Sequence, residues 1–304
     1  MSVNEIPVGT KVIFNDETLT FGKEISNLSE SNHLLGDIPA LKNQFEKDGY
    51  LLLGNFFPKE KVEAVYDTVT AMIDSEEELK PGTDPKDAIV GHQNKRYQLW
   101  RNIELTESSE MLDLANGSEI RGFFEGFLGG PVRTYDTRWL RAVPNGINNG
   151  IHYDIVYMGR GTDQVYTSWI PLSDAPIERS PLILCLGSHK LAKVRDTYGK
   201  MDTDTDNTEA VFSHSAKEMV DDFGCQWGTT NFNQGDLIIF GMYMMHASLQ
   251  NVSEQYRMSV DVRFQLVSEP IDDRHIGPNG SWLGNHYRGL EERPMSEARA
   301  EWGL

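Results

Sequence analysis

The chain has 304 residues, 39% of them hydrophobic and 24% charged, a composition that fits a folded globular protein and excludes a disordered one. Lys and Arg number 28 against 46 Asp and Glu, a net charge of −18, which argues against phosphate backbones and anionic membranes as partners. Two cysteines, Cys185 and Cys225, are too few for a disulfide scaffold or a cysteine zinc cluster; with no membrane-length apolar run and no leader pattern in Met1–Thr20, the expected setting is cytoplasmic.

Residues 1–36 are polar and mixed, and are expected to wrap the surface. Ile38, Leu41 and Phe45 recur at helical spacing and predict a helix over Ile38–Lys47, with Gly49 as its C-cap. Tyr50–Leu53 predicts a buried strand. Pro58 opens a second helix with Val62, Val65, Tyr66, Val69 and Met72 on one face. Met111–Leu128 predicts a further helix, ended by Gly129-Gly130-Pro131.

After that the pattern shortens. Val132–Val143, Val165–Leu172, Leu182–Leu186, Asp236–Phe240 and Tyr256–Val267 are apolar runs separated by turn signals, which predicts an antiparallel barrel or sandwich. Leu191–Trp227 is polar and acidic, and is expected to be a lid or binding loop; it lacks the glycine and terminal glutamate of a calcium loop. Met295–Trp302 predicts a short terminal helix. No repeat or low-complexity linker divides the chain, so one domain over 1–304 is expected: a surface-wrapping segment 1–36, helical support 37–131, a β core 132–267 with the 191–228 insertion, and an extension 268–304.

Among eight histidines, His152 stands out because Asp154 follows two residues later. In a strand these two side chains share a face, and His-x-Asp supplies two members of a two-histidine, one-carboxylate metal triad. His246, after the strand Gly235–Phe240, supplies a possible third; equally it reads as a core histidine bonded to backbone carbonyls. From Tyr256 onward, Tyr256, Met258, Val260, Val262 and Phe264 alternate with Arg257, Ser259, Asp261, Arg263 and Gln265. The apolar set predicts a face against the helices. The polar set points inward, where Arg257 with Ser259 makes a two-point clamp for a carboxylate, or outward to solvent on a half-exposed strand.

This ordered set resembles the phytanoyl-CoA dioxygenase family of Fe(II)- and 2-oxoglutarate-dependent oxygenases. Phe45-Glu46-Lys47-Asp48-Gly49-Tyr50, Trp169-Ile170-Pro171-Leu172-Ser173-Asp174, Cys185-Leu186-Gly187-Ser188-His189 and Gly235–Phe240 match its segments in order, over roughly residues 40–267. Two stretches depart from it: Cys185-Leu186 replaces the usual Leu-Pro, and Thr137–Pro144 lacks the usual glutamine and Lys-Pro pair.

The resemblance implies a mainly β fold with flanking helices around a double-stranded β-helix, the cupin-like jelly roll. It implies iron on His152, Asp154 and His246. It also implies 2-oxoglutarate on Arg257 and Ser259, with Trp169, Thr137 and Arg141 beside it, and O2 as oxidant. Arg138, Trp139 and Tyr153 are then candidates for substrate contact. The carboxylate at Asp154 favours hydroxylation over halogenation. A small metabolite is expected as substrate, in a monomer or homodimer. An acyl-CoA would need basic residues, and Lys95-Arg96 with Arg101 is the nearest cluster. The alternatives are a cupin-like metal enzyme without 2-oxoglutarate and a non-catalytic metal or 2-oxoglutarate sensor.

Overall fold

Alternation along the strands decides the layers. In the computed structural model, which describes residues 5–91, 99–277 and 292–304, the strands in chain order are β1 (Lys11–Phe14), β2 (Glu17–Thr20), β3 (Ile25–Asn27), β4 (Tyr50–Leu53), β5 (Val132–Thr134), β6 (Trp139–Val143), β7 (Tyr166–Pro171), β8 (Leu182–Leu186), β9 (Gln226–Thr229), β10 (Leu237–Gly241), β11 (His246–Ser248) and β12 (Arg257–Leu266). The Lys95-Arg96 pair lies outside the described residues. A major sheet runs β4-β10-β7-β12, and the far edge of β12 pairs with both β5 and β6. A minor sheet runs β11-β8-β9-β3. This is the jelly-roll arrangement of two facing sheets.

β12 shows why the layers form. Tyr256, Met258, Val260, Val262 and Phe264 are fully buried and join one core with the helices. That core includes Val62, Val65, Val69 and Ile73 of helix Lys59–Ser75, and Phe124 stacks on Phe264 with ring centroids 4.2 Å apart. Each such buried side chain contributes about 1.5–3 kcal/mol. The alternate set, Arg257, Ser259, Asp261, Arg263 and Gln265, faces the other way and is also buried, so it fills the space between the sheets. Part of that space is apolar, with Trp169, Ile238 and Phe240 of the major sheet against Leu182 and Leu184 of the minor one.

Local chemistry fixes the helix ends. Asp37 caps helix Ile38–Asp48 by accepting from the Ala40 N–H at 3.0 Å, and Gly49 ends it in the left-handed region at φ 80°. The single helix expected over Met111–Leu128 is two, Ser109–Asn116 and Ser118–Leu128. Gly117 divides them with φ −62° and ψ 167°, where a Cβ would stand 2.2 Å from the Asp113 carbonyl oxygen.

Residues 5–36 lie on the outside of the minor sheet and are anchored there by buried apolar side chains. β1 and β2 form a hairpin whose Phe14 and Leu19 are fully buried, and β3 adds a parallel strand to the minor sheet beside β9. Apolar alternation at Val12, Phe14, Leu19 and Phe21 drives this, hidden in the sequence by the polar residues between. The acidic insertion also packs closely. Val194, Tyr198, Met201, Phe212, Ala216 and Met219 join the core outside the minor sheet. No helix among the described residues is long and apolar enough to cross a membrane.

Candidate metal centre

His152 and His246 meet through the backbone: each N–H donates to the other's carbonyl, at 3.2 and 3.1 Å. Strand alternation does not bring Asp154 to them. His152 lies in an isolated bridge, and Asp154 has turned to helical dihedrals, φ −67° and ψ −29°, at the start of the short helix Ile155–Met158. That turn swings the carboxylate back beneath both rings.

The Asp154 Oδ1 stands 3.8 Å from His152 Nε2 and 3.7 Å from His246 Nε2. The three ligand atoms lie within 4.8 Å of one another. His152 Nδ1 faces the Gly150 carbonyl at 2.8 Å, and His246 Nδ1 faces the Met244 carbonyl at 3.0 Å. Those carbonyls require hydrogen on Nδ1, so both Nε2 lone pairs face Asp154 and each other. Burial, reinforced by His246, pushes His152 down to about 3, and burial lowers His246 too, so both rings are neutral donors at neutral pH.

Asp154 is held from behind. Its Oδ2 accepts from Thr167 Oγ1 at 2.5 Å and from Arg263 Nη2 at 2.9 Å. Burial would raise its pKa; Arg263, the two imidazoles and the Thr167 hydrogen bond outweigh that and hold it well below the usual carboxylate range. Two neutral imidazoles and one ionised carboxylate on one side of a shared point fit a divalent iron with open positions opposite.

The inner face of β12 leads away from this point. Arg257 and Ser259 are fully buried and hydrogen-bonded to each other, and Arg257 Nε donates to the Ser180 carbonyl at 3.0 Å. The Arg257 guanidinium lies 5.8 Å from the Trp169 ring. Arg141, opposite Ser259 across the β6–β12 ladder, donates from Nε to Asp261 Oδ2 at 3.2 Å. Trp139, opposite Asp261, carries the Arg263 guanidinium over its ring at 4.3 Å. Thr137 is buried, and its Oγ1 has no hydrogen-bond partner.

Two expected substrate contacts are corrected. Arg138 points to the helical layer, where its Nη1 donates to Glu107 Oε1 at 2.7 Å and to the Thr106 carbonyl at 3.3 Å. It has the same strand parity as Leu140 and Ala142, which face the helices. Tyr153 is fully buried in the outer core, stacked on Tyr198, with its hydroxyl donating to the Ser188 carbonyl at 2.6 Å. It points opposite to its ligand neighbours. Arg101 stacks on Trp100 at 4.9 Å.

Two residues that hold Asp154 were not singled out by the sequence: Arg263, which shares the inward alternation of Arg257, and Thr167, which only the fold brings close.

The chain belongs to the phytanoyl-CoA dioxygenase family, whose model matches residues 45–259. Among curated proteins it is 24% identical over 256 residues to the 1-deoxypentalenic acid 11-beta-hydroxylase of Streptomyces arenae, covering 80% of this chain and 86% of that one. Among solved structures it is similar to EctD from S. alaskensis with 2-oxoglutarate and 5-hydroxyectoine, with 17% identity, a TM-score of 0.57, and 88% and 94% of the two chains covered. It is also similar to the non-heme alpha ketoglutarate dependent carbocyclase SnoK from nogalamycin biosynthesis, with 18% identity, a TM-score of 0.55, and 86% and 95% covered. These likenesses share the jelly-roll fold described above.

Proposed function

We propose that this protein is an Fe(II)- and 2-oxoglutarate-dependent dioxygenase that hydroxylates an unactivated C–H bond of a small-molecule metabolite, releasing succinate and CO2. One observation carries the reading: His152 Nε2, His246 Nε2 and Asp154 Oδ1 converge in the same barrel interior into which Arg257 and Ser259 are buried. His152, Asp154 and His246 would hold the iron. Arg257 and Ser259 would hold the far carboxylate of 2-oxoglutarate, with Trp169 alongside. Bound together, iron and 2-oxoglutarate would supply the electrons that activate O2, which is the oxidant.

The chain's own part is binding and orientation. Arg263 and Thr167 fix Asp154 so that Oδ1, not Oδ2, meets the metal. The Gly150 and Met244 carbonyls fix the tautomer of both histidines. Apolar side chains around Trp169 exclude water from the floor of the site. With iron bound, the carboxylate of Asp154 would take a position that a halide would need, which supports hydroxylation. The free thiols of Cys185 and Cys225 support a reducing, cytoplasmic setting.

Anaerobic titration of the metal-free protein with Fe(II) and then 2-oxoglutarate tests this. A visible metal-to-ligand charge-transfer band is expected, followed by succinate release on a metabolite panel in air. Tight iron binding without the band would overturn the 2-oxoglutarate assignment in favour of a metal enzyme of another kind.

A further inference from the structure

Past β12 the chain returns as a strap over 268–277, and His275 in it packs against residues that reach two of the three ligands. The imidazole stacks flat on Tyr135, with centroids 5.2 Å apart and planes 6° apart, and tilts against Trp139 at 5.5 Å. Its Nε2 lies 3.4 Å from the Tyr157 carbonyl, and the Tyr157 ring stands edge-on to the ligand His152 at 5.5 Å. Trp139 in turn lies against Arg263, the partner of Asp154. His275 therefore reaches two of the three ligands through one or two side chains on each route.

The residue beside it explains how an extension holds that position. Arg274 is buried and clamps Asp272 two-pronged, Nε to Oδ1 at 2.9 Å and Nη2 to Oδ2 at 2.6 Å. Its Nη1 donates to Asp204 Oδ2 at 2.7 Å and Asp202 Oδ1 at 3.3 Å, both in the acidic insertion. Arg160 binds the same Asp202 from the turn after the Asp154 helix, and its backbone N–H donates to Asp272 Oδ2 at 3.2 Å. Three segments distant in sequence thus share one knot of three carboxylates and two guanidinium groups. Backbone bonds run beside it, Thr162 N–H to the Pro270 carbonyl and Thr203 N–H to the Val156 carbonyl, both at 3.0 Å. The chains approach so closely that a Cβ on Gly161 would lie 2.6 Å from the Asp272 nitrogen.

We propose that Arg274 is a positioning residue that seats His275 as the outer wall of the metal site, so that the strap and the insertion together retain 2-oxoglutarate. This rests on the iron and 2-oxoglutarate reading above. A latch of this kind needs a buried cation with carboxylates from both segments, and the buried Arg274 side chain bonds both Asp272 and Asp204, while the more exposed Arg160 joins the same segments through its backbone N–H and Asp202. The His275 ring serves as packing: burial pushes it down to about 4, so it is neutral at working pH.

The test forms the anaerobic Fe(II)–2-oxoglutarate complex in the whole chain, adds excess EDTA, and follows decay of the charge-transfer band. Arg274→Ala is expected to speed decay at least about tenfold, because a disrupted buried ion pair ordinarily exceeds the 1.4 kcal/mol that a factor of ten represents, and His275→Ala by a similar factor, because it removes the packed ring itself. The double variant should decay no faster than Arg274→Ala, since both changes remove one wall. Arg274→Lys should restore part of the retention. Amide exchange gives a second readout that needs no metal: Arg274→Ala should raise exchange in both 198–206 and 270–277, whereas His275→Ala should leave 198–206 unchanged. Wild-type decay rates in either single variant, multiplied effects in the double, or exchange raised in only one segment would overturn the proposal. Absence of the band in the wild type would instead count against the 2-oxoglutarate reading, and the exchange pattern would then decide the seating by itself.

Discussion

Replacing Arg263 by methionine tests the logic of the centre most directly. The stem is kept and the charge removed. In the native protein the side chains of Arg263 and Asp154 are 2% and 3% exposed, with 2.9 Å between Nη2 and Oδ2. Breaking so buried a pair from one side costs about 3–5 kcal/mol, because the remaining carboxylate is left desolvated with fewer partners. Loss of the guanidinium over Trp139 adds to this. Urea unfolding of the metal-free protein at pH 7 is the assay, read as a fall in midpoint at unchanged slope. Iron affinity follows a second balance. The guanidinium repels the ion, but it also fixes which carboxylate oxygen faces the histidines. Loss of such an orienting partner typically lowers metal affinity 10–100-fold, and we expect that effect to win. An unfolding free energy within about 1 kcal/mol of wild type, or unchanged or tighter iron binding by chelator competition, would refute the claim that Arg263 prepares Asp154 for metal.

Four other outcomes follow from the same geometry. Arg257→Ala should raise the 2-oxoglutarate needed to form the charge-transfer band by about 100-fold, and Arg257→Lys should recover little, since lysine lacks the planar fork. Fe(II) or Mn(II) should raise the thermal midpoint of wild type, by the equivalent of about 2.7 kcal/mol at one hundred times Kd, and leave Asp154→Ala unmoved. Gly49→Ala should cost about 1–3 kcal/mol in urea unfolding: φ is +80°, and the new Cβ would lie 2.3 Å from Met244 Cε and 2.6 Å from His189 Nδ1. Glu218 in the acidic insertion pairs with Arg299 of the C-terminal helix Met295–Trp302 and carries the pH dependence of that contact. Burial raises its pKa, but the ion pair with Arg299 and the Ser213 hydrogen bond outweigh this and leave it lowered. Its stabilisation is therefore complete above the unfolded value of about 4.3 and is lost as pH falls through the depressed one. The urea midpoints of wild type and Glu218→Gln should differ at pH 7 and draw together below that range.

Spacing and alternation carried much of this protein. Helix Ile38–Asp48, its glycine stop, the strand behind it and the inward row Arg257, Ser259, Asp261, Arg263 follow from local periodicity, because one buried face imposes a repeat that the residues must keep. The triad was legible through the ordered motifs that resemble the family, since His152 and Asp154 alone left the third ligand open. The route to it was not. His152 and Asp154 converge through a turn into a short helix, which no two-residue repeat encodes.

What lay beyond sequence was whatever depends on partners far along the chain. Arg138 and Arg141 look alike in the sequence, yet strand parity and Glu107 send the first to the helices while Asp261 holds the second inside. Tyr153 sits between two ligands but turns to Ser188 and the outer core. The polar N-terminal segment became a hairpin and a strand because its few apolar residues found the outside of the minor sheet. The acidic insertion was expected to be a lid or binding loop, and it is tied down because Arg160 and Arg274 arrive from elsewhere to neutralise it. Local sequence sets which face a side chain prefers; only tertiary structure supplies the counter-charge, donor or ring that makes burial of that face stable.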